Sequence, residues 1–236
     1  MHPALVVKLD WHDPLTYLSI LGALGAPGVL YQCYKWLTGV WNTTFFRLRY
    51  PAAMKDFYFD TRDSGYRVFE DGRTYLAIRR EKVTSNIEGL KSIPVSYMWS
   101  GAGEVTASVK PESITLEDRP RVAGRVATRK SVVFEKPVAK GESCQFVLEV
   151  RCVAAEGHQP EPFVSTASSR RVDRLILRAS FPLSRMPARV SHRLLDSDGG
   201  EVSHEMLECS DPLTGEFRID VKYPRPFFEH RIEWEY

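Results

Sequence analysis

The chain has 236 residues, 43% of them hydrophobic and 26% charged, a balance that belongs to folded proteins and excludes wholesale disorder. Its 32 Lys and Arg against 30 Asp and Glu leave a formal net charge of +2, with the two signs interspersed. There is no broad positive field for a phosphate backbone, and nucleic acid is not an expected partner.

In chain order, residues 1–13 read as a flank carrying Lys8, Asp10, His12 and Asp13. Residues 14–44 form a hydrophobic segment in which Leu15 to Tyr34 contains no charge. About 20 apolar residues are what a helix needs to cross a bilayer core. Three readings compete. A signal peptide fits poorly, because the flank is not basic and Tyr31, Tyr34 and Trp36 follow where a small-residue cleavage site belongs. A buried helical hairpin rests on the breaker cluster Gly25-Ala26-Pro27-Gly28, which would leave each half too short to span. A membrane anchor places Leu15, Leu18, Ile20, Leu21, Leu24 and Leu30 in lipid and Trp36 and Trp41 in the interfacial belt. Gly22 and Ala26 then sit at the small-residue spacing that allows close helix association. Lys35, Arg47, Arg49 and Lys55 follow the segment against Lys8 before it, so the positive-inside rule puts the remainder of the chain in the cytoplasm. An inner-membrane protein with a cytoplasmic C-terminal domain is therefore expected, with a wholly cytoplasmic protein as the alternative.

Residues 45–65 read as a connector and residues 66–236 as a β domain. Period-two alternation is clear in Cys144 to Cys152, where Cys144, Phe146, Leu148, Val150 and Cys152 face one way. It returns in Asp173 to Phe181, interrupted by Ile176, in Glu216 to Tyr223, and in Phe228 to Tyr236. Weaker strands are expected over Tyr66 to Glu70, Thr74 to Lys82, Val95 to Trp99, Val105 to Val109, Ser113 to Glu117 and Ser131 to Lys136, with Asp71-Gly72 as a tight turn. Nine to eleven short strands without long helical periodicity point to a mainly β, two-sheet antiparallel sandwich, immunoglobulin-like or jelly-roll-like, preceded by the hydrophobic helical segment. Residues 155–171 are aperiodic and rich in Pro and Ser, and read as an exposed loop.

The sequence carries no sign of catalysis. There is no Gly-x-Ser-x-Gly elbow, no HExxH pair and no phosphate-cradling Gly-rich loop before a helix. The six histidines lack metal-ligand spacing, His230 reads as a satisfied, partly buried imidazole, and no metal or cofactor is expected. Cys144 and Cys152, in one strand, lie roughly 26 Å apart and cannot bond each other. The pairs Asp196/Asp198 and Glu229/Glu233 read as solvated carboxylates. The basic pairs Arg79-Arg80 and Arg170-Arg171, with Arg174 and Arg178, could line a groove for an anionic ligand, since a guanidinium fork matches one bidentately, and Arg170, Arg171, Arg174 and Arg178 are the candidate binding residues.

A broken hydrophobic N-terminus followed by a β-rich domain resembles, in the order of its segments, the membrane effectors of bacterial antiphage signalling systems. Tyr97-Met-Trp99-Ser-Gly101 and Arg231-Ile-Glu-Trp234-Glu look like strand ends of bacterial β-sandwich domains. That resemblance implies a non-enzymatic protein whose β domain senses a small anionic ligand or a partner protein, homo-oligomerises and acts at a membrane. The alternative is a soluble accessory or scaffold subunit whose N-terminal hairpin packs on protein.

Overall fold

The computed structural model describes residues 55–99, 102–119, 128–158 and 160–236. The flank 1–13 and the hydrophobic segment 14–44, with its eight proposed lipid-facing residues, lie outside the described residues. Among the described residues no helix is long and apolar enough to cross a membrane.

Thirteen strands make up the described fold: β1 Phe57–Val68, β2 Thr74–Ser85, β3 Leu90–Tyr97, β4 Gly103–Lys110, β5 Ile114–Asp118, β6 Thr128–Val138, β7 Ser143–Ala154, β8 Phe163–Ala167, β9 Val172–Ser180, β10 Arg189–Leu195, β11 Glu201–Met206, β12 Glu216–Lys222 and β13 Glu229–Glu235. The chain is mainly β, as its alternation predicts. The strands form three sheets rather than two: a six-stranded sheet in the order β12-β9-β1-β2-β7-β4, a four-stranded sheet β11-β10-β13-β8, and a three-stranded sheet β3-β6-β5. Pairing is antiparallel except between β1 and β9, which run parallel.

Both smaller sheets pack on the same face of the large one. Over the β2-β7-β4 half, Phe134 of β6 meets Phe146 of β7 with ring centroids 6.5 Å apart. Over the β9-β1 half, Trp234 of β13 packs edge-on against Phe181 at 5.1 Å and lies 5.8 Å from Tyr66. One hydrophobic cluster runs through all three sheets, with Ile93 and Val132, Leu148 and Leu177, and Ile232 fully enclosed. Alternating residues on a pleated strand face opposite ways, so the other face of the large sheet carries the charges: Arg80, Lys82, Arg151, Arg174 and Arg218 are exposed there.

Three differences from the sequence-based expectation, and one irregularity the sequence shows, have local causes. The strand β1 begins at Phe57, inside the span read as a connector. A register shift between Phe59 and Thr61 breaks its alternation, and an extra residue of that kind inserted in a strand hides the period. Part of the span read as the 155–171 loop is β8, whose short Phe-Val-Ser-Thr-Ala sequence is half-buried at four successive positions and gives no two-sided pattern. The hairpin β10-β11 was not predicted because β11 is exposed at all six positions and has no buried face to betray it. Ile176, the residue that interrupts the alternation of β9, is buried on the charged face between Arg174 and Arg178 in sequence.

The turns follow their chemistry. Asp71 accepts the backbone N–H groups of Arg73 and Thr74 at 2.9 and 2.8 Å and the Thr74 hydroxyl at 2.6 Å, closing the β1–β2 turn. Those bonds hold its carboxyl below the usual range. Gly215, before β12, has φ of +61°, and a Cβ there would lie 2.3 Å from the Phe181 carbonyl oxygen, so no other residue fits that turn without displacement.

Candidate binding cleft

The two smaller sheets leave a gap above the middle of the large sheet, where β1 and β2 lie. It is bounded on one side by Pro94 to Trp99, at the end of β3, and on the other by residues 160–170, which include β8. The cleft has a volume of about 540 Å³, within the range typical of ligand pockets. Its floor comes from the inner faces of β1 and β2, where core positions carry charges instead of aliphatics.

Three of these charges form a chain. Glu81 is 2% exposed and accepts Arg62 Nε at 2.9 Å and Arg79 Nη2 at 2.7 Å through one oxygen, Oε1. Arg62, 6% exposed, lies over the Phe59 ring with its guanidinium carbon 4.0 Å from the centroid. Burial pushes the Glu81 carboxyl up, but the charges of Arg79 and Arg62 outweigh it and hold it below the carboxylate range. Burial likewise lowers Arg62 to about 10, against the opposing pull of Glu81; both residues are charged at neutral pH. The triad therefore carries a net single positive charge in a water-poor floor.

The arginines also reach upward. Arg62 Nη1 donates to the Ala167 carbonyl of β8 at 3.2 Å, and Arg79 Nη1 donates to the Ser96 carbonyl of β3 at 2.9 Å. Each guanidinium thus ties the floor to one wall. Hydrogen-bonding capacity is left over at the same place: among the described residues, Ser64 Oγ, Arg79 Nε and Trp99 Nε1 are enclosed and find no partner, nor does the second Glu81 oxygen, Oε2. Buried polar groups are nearly always satisfied in folded proteins, and Ser64, Arg79 and Trp99 all line the cleft.

The four arginines singled out in the sequence are each engaged by a carboxylate. Arg170 donates to Asp56 at 2.9 Å and Arg174 to Asp220 at 2.6 Å, Arg171 pairs with Asp173, and Arg178 pairs with Asp63. They do not form one group. Arg170 lines the cleft, with its guanidinium 5.0 Å from the Phe57 ring centroid, whereas Arg174 and Arg178 stand on the opposite face of the large sheet beside Asp220 and Asp63. Of the triad, the sequence offered Arg79, in the basic pair Arg79-Arg80, as a groove-lining cation, and the structure puts it in the cleft; Arg62 and Glu81 were not identified. Their inward direction follows from strand pairing, Arg62 opposite Glu81 and Glu81 opposite the buried Phe146 of β7, which the sequence does not display.

Histidines on β10 and β13 meet in the core of the four-stranded sheet. His192 Nε2 lies 3.2 Å from His230 Nδ1, and the rings are stacked with centroids 5.4 Å apart. His192 Nδ1 is 2.8 Å from the Glu205 carboxylate. Burial, with His192 close by, lowers His230 to about 4, so it is neutral at physiological pH, in keeping with a satisfied buried imidazole. The Cys144 and Cys152 thiols, both on β7 and unpaired, are pushed up to about 11 by burial and remain protonated. Arg231 bridges Glu229 and Glu233 at 2.8 and 3.3 Å, and Asp196 accepts the N–H groups of Asp198 and Gly200 in the β10–β11 turn. Among the described residues no group of three or more His, Cys, Asp or Glu is placed to hold a metal ion.

No protein-family model matches the chain, and no curated protein does. Solved structures similar to it include an M1 zinc metallopeptidase from Deinococcus radiodurans, at 11% identity and a TM-score of 0.45, matching 77% of this chain and 43% of that one. A putative protease from Parabacteroides distasonis is similar at 11% identity and a TM-score of 0.47, over 77% of this chain and 40% of that one. The chain thus spans less than half the length of these structures, and likenesses at that identity and score assign it neither a family nor an activity.

Proposed function

We propose that the chain is a non-enzymatic binding protein whose β domain takes up an anionic ligand or partner in the cleft between β3 and β8. The observation that carries this reading is the Arg62–Glu81–Arg79 triad, a buried net positive charge with unfilled donors at the floor of an open pocket. A guanidinium already held in place recognises a carboxylate or phosphate at small entropic cost. Arg170, at the rim, and Arg79, on the floor, are the members of the sequence-based arginine set that line this cleft.

The hydrophobic segment 14–44 anchors the chain in the bacterial inner membrane on this reading, with the β domain cytoplasmic. The flanking cations and the length of the uncharged run support it. Ligand-driven self-association of the β domains would then raise the local concentration of the anchors, the arrangement that the likeness in layout to antiphage membrane effectors implies. Cell fractionation tests the anchor: full-length protein should pellet with membranes and resist carbonate extraction, whereas a chain beginning at Phe46 should stay in the supernatant. A full-length chain that is soluble without detergent removes the membrane role.

A scaffold subunit is the second reading. It draws support from β11, an exposed edge strand that presents Val202 and Met206, 49% and 60% exposed, to a protein partner.

A further inference from the structure

The walls of the cleft are more specific than its floor, because both are sheet edges. The strand β3 is an outer strand of the three-stranded sheet and β8 an outer strand of the four-stranded sheet, and among the described residues each has a hydrogen-bonded neighbour strand on one side alone. Along a strand, successive residues turn their backbone N–H and C=O groups to opposite sides. On β8 the residues flanking the strand fix the sense: the Pro162 and Ser168 carbonyls accept from Trp234 and Phe227 of the β13 side. Even-numbered positions therefore face β13, and Phe163, Ser165 and Ala167 face the cleft. The Arg62 bond to the Ala167 carbonyl agrees. On β3 the Ser96 carbonyl is turned to the cleft, where Arg79 reaches it, which puts Ser92 and Pro94 on the same side.

Resting on the cleft reading above, we infer that its occupant is an extended peptide segment bearing an acidic side chain, which enters as an added strand between β3 and β8 and joins the two small sheets into one layer. The edge of β8 supplies the main ladder, through Ser165 and the N–H of Ala167. Pro94 has no N–H, so β3 supplies fewer bonds, contributing Ser92 and Ser96. A strand in this position alternates its side chains between solvent and the floor. A carboxylate on the floor side meets the Arg62–Glu81–Arg79 triad, whose net charge is opposite to its own and whose Arg79 Nε is unbonded; Ser64 Oγ and the Trp99 indole N–H offer further donors. A small anion would engage the floor and leave both edges open, which is why a peptide is the better fit. Strand addition of this kind draws affinity from main-chain bonds and selectivity from alternate side chains.

The test uses full-length protein, kept in detergent if it partitions to membranes, and three fluorescein-labelled heptapeptide pools. The first has a central Asp and randomised flanks; the second has Lys at the centre; the third keeps the Asp but is N-methylated at alternate backbone positions, which removes the ladder and retains the side chains. Fluorescence anisotropy should show the Asp pool binding at least tenfold more tightly than either control, with slowed amide exchange at Ser165 and Ala167. Arg79→Gln should narrow the gap between the Asp and Lys pools to less than threefold. Equal binding of the Asp and N-methylated pools overturns strand addition, and equal binding of the Asp and Lys pools overturns the carboxylate. Succinate and inorganic phosphate are titrated alongside. If they bind and no pool does, the cleft is a small-anion site and the peptide inference falls while the anion-binding reading stands; if nothing binds, both fall.

Discussion

Acid should destabilise this protein through one buried imidazole. In the folded chain His230 sits at about 4, against about 6.5 in an unfolded chain. The first cause is burial of the ring, which is 5% exposed, and the second is His192, whose Nε2 lies 3.2 Å from His230 Nδ1. Between pH 6.5 and 4 the unfolded state binds a proton at His230 that the folded state refuses, so stability falls as pH falls and is level above pH 7.5. At pH 5 the two values give a loss of about 2 kcal/mol relative to neutral pH. With a urea slope of about 2 kcal/mol per M for a domain of this size, the unfolding midpoint should drop by about 1 M between pH 7.5 and pH 5. Urea melts of the full-length chain and of His230→Gln, followed by tryptophan fluorescence at both pH values, isolate the term, because the variant retains every other titrating group. The variant should show a correspondingly smaller drop. An identical pH dependence in the two proteins would refute the assignment to His230.

Glu81→Gln should cost about 3–5 kcal/mol, since it strands the buried Arg62 guanidinium and the half-buried Arg79 guanidinium without their shared carboxylate; a melting temperature within a degree or two of the parent would show that water reaches the cleft floor. Trp234→Ala should lower stability by about 3–5 kcal/mol in chemical denaturation, because the ring is 3% exposed and packs on Phe181 and Tyr66. Charge reversal separates the two arginines of the outer face. Arg178→Glu leaves the buried Asp63 carboxylate facing a like charge and should cost about 2 kcal/mol, or several degrees of melting temperature. Arg174→Glu should leave the melting temperature nearly unchanged, because its partner Asp220 is exposed to solvent on one side and keeps Arg218 at 3.0 Å. Equal effects of the two reversals would mean that burial of Asp63 does not set the cost.

The strands that the sequence made legible are those with one greasy and one wet face. Cys144 to Cys152, Asp173 to Phe181, Glu216 to Tyr223 and the run to Tyr236 alternate because each lies over a core on one side and under solvent on the other. Composition and alternation thus determined that the chain is mainly β, and the Asp71-Gly72 turn declared itself through local hydrogen bonds that need no distant partner. What lacks a local signature had to wait for tertiary structure. A bulge conceals the start of β1, β8 is half-buried along most of its length, and β11 has no buried face. The division into three sheets, the parallel pairing of β1 with β9, and the partners of each arginine depend on which strands lie side by side, a relation between residues far apart in sequence. Arg170, Arg171, Arg174 and Arg178 look like one basic cluster along the chain, yet strand geometry places Arg170 at the cleft and Arg174 and Arg178 on the opposite face. Arg62 and Glu81 look like ordinary surface charges in the sequence and Arg79 like half of a basic pair; only the pairing of β1 with β2, under two sheets that stop short of each other, brings the three together as the floor of a site.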